Sequence, residues 1–72
     1  MENHTYKVTE VVGTSTEGLD QAIRTAVAKA SETLRHMDWF EVTDIRGHLG
    51  GDASVQHLQV TMKLGFRLDE QG

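Results

Sequence analysis

Cysteine is absent from this 72-residue chain, so neither a disulfide nor a thiolate-held metal can staple the fold. A domain of this length buries only about 60 % of the surface that its unfolded chain exposes, and small cores lean on disulfides, metals or partner subunits. Histidine offers no substitute. His4, His36, His48 and His57 form neither a helical i, i+4 pair nor the spacing of a zinc helix, which argues against metal ligation and leaves surface or interface roles as the default. Oligomerisation is the staple that remains.

Blocks of positive charge are also missing. The net charge is −4 and the seven Lys and Arg residues are scattered, so no stripe exists to follow nucleic acid phosphates. No apolar run approaches the ~20 residues that span a bilayer, and Met1-Glu2-Asn3-His4 has neither the basic nor the apolar part of a signal segment. A soluble cytoplasmic protein with one domain over residues 1–72 is expected. The chain contains no GxSxG, and Gly13 to Gly18 lacks the Gly-Lys-Ser/Thr ending of a phosphate loop. The paired carboxylates Asp69 and Glu70 fall in a tail. With no catalytic constellation, the expectation is a protein that is not an enzyme.

What is present has clear periodicity. Tyr6 to Val12 is rich in β-branched and aromatic residues and alternates roughly as a half-buried strand does. Glu10 shares the parity of Tyr6, Val8 and Val12, which calls for a bulge or for a partner to its carboxylate. Thr14 to Glu17 fits a capping box, with Ser15 an equally good cap. Leu19, Ala22, Ile23, Ala26, Val27, Ala30, Leu34 and Met37 then fall on one helical stripe, opposite a face carrying Asp20, Arg24 and Lys29. Trp39 to Arg46 reads as a strand. Gly50-Gly51-Asp52 suits a turn with positive φ angles, and a strictly alternating strand follows from about Val55 to Leu68. Leu58, Val60, Met62 and Leu64 share one face of it, with Gln59 on the other. The predicted class is α+β: a β-α-β-β chain whose three-stranded antiparallel sheet carries one helix across one face. The last strand would extend roughly 45 Å at 3.3 Å per residue, against about 28 Å across a compact globule of this length. It must bend or reach beyond its own subunit.

Trp39, the only tryptophan, adjoins Phe40, so the two rings point to opposite faces of their strand. If Phe40 and Val42 join the helix-facing core, Trp39 shares the other face with Gln59. An indole on a polar face needs cover, either from a partner subunit or from a flat stacked ligand. Gln59 carries a donor pair and an acceptor that suit the edge of a pyrimidine-dione, or it is a solvated strand residue. Arg46 could meet a phosphate or a ring, or form a salt bridge at a surface or between subunits. For Arg67 the salt bridge is the simpler reading.

Val12-Gly13-Thr14-Ser15, the segment Leu34 to Val42 around Trp39, Ile45-Arg46-Gly47, Gln59-Val60 and Gly65-Phe66-Arg67-Leu68 together resemble bacterial dodecins, in order and at matching spacing over nearly the whole chain. The resemblance implies a hollow homododecamer that stores and buffers riboflavin or FMN without catalysis. It implies paired flavins stacked between symmetry-related Trp39 side chains, with Gln59 on the pyrimidine edge, Arg46 close to the flavin and Asp44 near the ribityl chain. Some bacterial members also hold coenzyme A at subunit junctions, for which Arg67 is the residue to test. The alternative from another class is a β-α-β-β interaction oligomer that binds no flavin and uses Trp39 as interface packing.

Overall fold

The computed structural model describes residues 3–68; Met1, Glu2 and the tail carboxylates Asp69 and Glu70 lie outside them. Strand β1 (Tyr6–Ser15) leads into helix α1 (Leu19–Ala30), followed by β2 (Met37–Leu49) and β3 (Val55–Arg67). The sheet order is β1-β3-β2. Both outer strands run antiparallel to β3, which places the most strictly alternating strand at the centre. The expected β-α-β-β architecture is met, with β1 and β2 longer than their apolar patterns suggested.

Alternation decides what is buried. Val60, Met62 and Leu64 of β3 are buried on the helix side together with Ala22 of α1. Val11, Leu19, Ile23, Ala26 and Val42 pack against this cluster. On β1, Thr9, Val11 and Gly13 are the more covered positions, and Tyr6, Val8, Glu10 and Val12 face away from the helix. Glu10 therefore belongs to an open face. The β1/β3 ladder runs without a shift from Tyr6 opposite Arg67 to Ser15 opposite Leu58, so there is no bulge, and Glu10 stands opposite Lys63.

Two sequence expectations about the helix change. Its N-cap is Gly18, at φ 147°, with no side-chain cap. Thr14 and Ser15 are still paired to β3, and Ser15 Oγ accepts the Glu17 N–H at 2.8 Å in a local turn. Pairing of β1 thus takes the residues that a capping box would need. The helix also stops at Ala30, and the last two members of the apolar stripe, Leu34 and Met37, fall beyond it, Met37 already in β2. His36, at φ 61°, lies immediately before that strand, where the chain changes direction. On the solvated face Arg24 Nε donates to Asp20 Oδ2 at 2.9 Å, as the i, i+4 spacing anticipates.

The β2–β3 turn departs in detail. Positive φ falls on Ala53 (68°), not on Gly50 or Gly51. Asp52 Oδ1 accepts both the Ser54 hydroxyl at 2.6 Å and the Ser54 N–H at 3.0 Å, and these bonds hold its carboxyl below the usual range. The chain extends 56 × 20 × 16 Å with a radius of gyration of 15.2 Å, where a compact domain of this length would show about 11 Å. The long strands reach outward, as their length requires.

Helix and sheet meet most closely at Gly13. A Cβ there would lie 2.5 Å from the Ala22 carbonyl oxygen and 2.8 Å from the Ala26 Cβ. Gly13→Val should destabilise the protein by about 1–3 kcal/mol through overpacking, read as a lower denaturant midpoint at an unchanged slope. Ala53→Gly should act in the opposite sense. Relief of the left-handed backbone, less the added freedom of the unfolded chain, leaves a gain of roughly 0.5–1 kcal/mol in the same measurement.

Candidate functional site

The helix packs on β1 and β3, while β2 reaches the core through Val42. The sheet face away from the helix is open along its whole length, and it carries every residue singled out for ligand binding. At one end Trp39 is the cross-strand partner of Gly65. The absence of a side chain at Gly65 makes the site: a Cβ there would fall within the indole ring. The indole thus rests on glycine backbone, 41 % exposed. Tyr6 lies on its other flank at a centroid distance of 6.4 Å and an interplanar angle of 46°. The Tyr6 hydroxyl donates to Asp38 Oδ2 at 2.7 Å. That bond raises the Tyr6 pKa above the usual phenol value, with the Asp38 charge in the same sense and Arg67, opposite Tyr6 in register, against it.

β2 puts its side chains on this face by breaking its own alternation. Met37 opposes Phe66 and Trp39 opposes Gly65, so Asp38 is an extra residue; a second shift lies between Val42 and Asp44. Phe40 and Val42 point to the helix side opposite Leu64 and Met62, as expected, although Phe40 is half exposed in a groove of about 390 Å³ beside Ile23 and Val27. Strict alternation would have kept Asp44 and Arg46 on that same side. The extra residue Thr43, whose hydroxyl donates to the Thr61 carbonyl at 3.2 Å, rotates them to the open face. Asp44 comes to stand opposite Thr61, and Arg46 opposite Gln59.

Gln59 is paired on its other side with Thr14. It therefore shares a face with Trp39 but not a neighbourhood. Gln59 and Gly65 lie six residue steps apart on β3, roughly 20 Å along the strand, and a tricyclic ring laid on the indole ends well short of the amide. Within one chain Arg46 and Asp44 accompany Gln59, whereas Arg67 accompanies Trp39. Next to the Gln59 group, His48 and His57 are cross-strand partners with rings stacked at 4.8 Å and 12°. Sequence reasoning treated these histidines singly and passed over Tyr6, Asp38 and Gly65. Gly65 was legible as an interruption on the polar face of β3; the others required the strand order and the bulges.

Among the described residues no three His, Cys, Asp or Glu side chains are grouped to hold a metal ion, and no helix is long and apolar enough to cross a membrane. The sequence profile of the dodecins matches residues 5–69. The chain belongs to the dodecin family. It is 57 % identical to a dodecin of Thermus thermophilus over 65 residues, which cover 90 % of this chain and 93 % of that one. Among solved structures, dodecin from Streptomyces coelicolor superposes with a TM-score of 0.88 at 63 % identity, covering 99 % of this chain and 100 % of the other. Dodecin from Streptomyces davaonensis gives 0.87 at 61 % identity, with 96 % and 100 % covered. The β-α-β-β sheet and single helix are thus the dodecin fold.

The fit of Trp39 against Gly65 is open to a direct check. Gly65→Ala should push the indole off the sheet and red-shift the emission of this sole tryptophan toward that of a solvated ring. Emission identical to the parent protein would show that the backbone contact does not set the ring position.

Proposed function

We propose that this dodecin binds riboflavin or FMN without catalysing a reaction on it, storing the flavin and shielding it from light between subunits. The observation that carries this reading is the indole of Trp39, laid on glycine backbone and 41 % exposed on the open sheet face. A broad amphipathic ring held this way is a platform for a flat aromatic ligand. Gln59 supplies a donor pair and an acceptor for the pyrimidine edge. Arg46, opposite Gln59, presents a planar guanidinium to an FMN phosphate, and Asp44 on the same face accepts ribityl hydroxyls.

The roughly 20 Å between Trp39 and Gln59 along β3 makes the site intersubunit. A second copy brings its Gln59 end to the Trp39 end of the first, and a two-fold axis brings two indoles face to face. A hollow homododecamer is the assembly proposed to supply these junctions, in keeping with the half-exposed Phe40 and Ile45 on the helix side of β2. When bound, the flavin supplies a light-absorbing ring whose excited state a stacked indole quenches. Trp39 orients that ring and excludes water from one of its faces. Coenzyme A is proposed as a second ligand at a subunit junction, with Arg67 neutralising its phosphates.

Titration of the purified protein with riboflavin and with FMN, read by flavin fluorescence alongside native mass, tests the reading. Near-complete quenching at saturation and a mass of twelve chains are expected. Trp39→Ala should lose at least about tenfold in affinity together with the quenching. An oligomer that leaves flavin fluorescence unchanged would instead be the ligand-free interaction protein.

A further inference from the structure

The two outer strands do not pair with each other, yet a hydrogen bond joins them. Tyr6 begins β1, Asp38 lies near the start of β2, and β3 runs between the two. The bond from the Tyr6 hydroxyl to Asp38 Oδ2, 2.7 Å long, therefore crosses β3 on the open face. One local feature allows it: Asp38 is the extra residue of a bulge, which frees its side chain from the alternation of β2. The space that a side chain at Gly65 would fill is taken by the Trp39 indole, which brings the ring down onto β3 beside this bond.

We infer that Tyr6 and Asp38 form a strap across β3 that holds the Trp39 indole in its ligand-ready orientation, making both positioning residues for the flavin site. The inference rests on the proposed flavin binding for its affinity arm. Asp38 adjoins Trp39 in sequence, so anchoring its carboxylate restrains the backbone from which the indole springs. The Tyr6 ring, tilted by 46° at a centroid distance of 6.4 Å, is within the separation of interacting aromatic pairs and covers one flank of the indole. The Gly65 backbone closes the floor. An indole restrained on these two sides has less rotamer freedom left to lose, which lowers the entropic cost to a ligand that stacks on its exposed face.

Tyr6→Phe keeps the ring and removes the donor; Asp38→Ala removes the acceptor; Asp38→Asn keeps an acceptor oxygen in place. Two readouts are compared in the assembled protein: the Kd for riboflavin, and the long-wavelength near-ultraviolet circular dichroism of Trp39 without ligand, which measures how firmly the indole is oriented. Tyr6→Phe and Asp38→Ala should each weaken riboflavin binding roughly two- to tenfold and reduce the Trp39 band, with melting temperature and native mass unchanged. Asp38→Asn should restore both. If either readout stays at the parent value in both Tyr6→Phe and Asp38→Ala, the strap is overturned. Should the parent protein itself bind no riboflavin, the flavin reading fails separately and the Trp39 band alone decides: a reduced band upholds the strap, an unchanged one overturns it.

Discussion

A 12-residue helix is about 18 Å long, whereas each of the 13-residue strands beside it runs roughly 43 Å. The rest of this molecule follows from that mismatch. One helix can cover less than half the length of the sheet on one face and none of the other, so among the described residues the fully buried apolar side chains come down to Ala22, Val60, Met62 and Leu64. So small a core leaves little from within one chain to offset the entropy of ordering its long hairpin. Val8, Val12, Ile45, Leu49 and Val55 are left half exposed, which is apolar surface that the proposed assembly would cover.

The same economy places the candidate site. A binding residue on the helix side would compete with the few core positions available, whereas the open face is free of packing duties. Trp39 exploits it through a complementary vacancy at Gly65, and Gly13 performs the matching service on the opposite face by letting the helix settle on β1. The two glycines thus allow close approach from above and from below the sheet. On the open face Lys63 is the cross-strand partner of both Glu10 and Glu41, so the stretch between the Trp39 and Gln59 groups is charged rather than apolar. The proposed flavin site accordingly bridges copies at the ends of the face and does not lie along a single chain.

Strand β2 shows why the site was only partly legible. Alternation correctly put Trp39 and Phe40 on opposite faces and Val42 with Phe40, because these follow from adjacent backbone geometry. Carried onward to Asp44 and Arg46, the same rule assigns the wrong face, since Thr43 is an unpaired residue and every side chain after it is rotated by one step. Nothing in the local composition marks that insertion. The helix start departs from its local pattern for a related reason: Thr14 and Ser15 have the chemistry of caps, but pairing with Gln59 and Leu58 holds them in β1.

By itself the sequence determined the four elements and their order, the apolar stripe of α1 from Leu19 to Ala30, the buried side of β3 and the shared open face of Trp39 and Gln59. Each of these is a property of residues close together along the chain, where periods of 3.6 and 2 are directly visible. Only the tertiary structure decided that β3 lies between β1 and β2, that Tyr6 reaches Asp38, that His48 stacks on His57, and that Trp39 and Gln59 stand at opposite ends of one face. Those are matters of register, set by pairing between residues far apart in sequence, and a shift of one residue moves every side chain beyond it to the other side of the sheet.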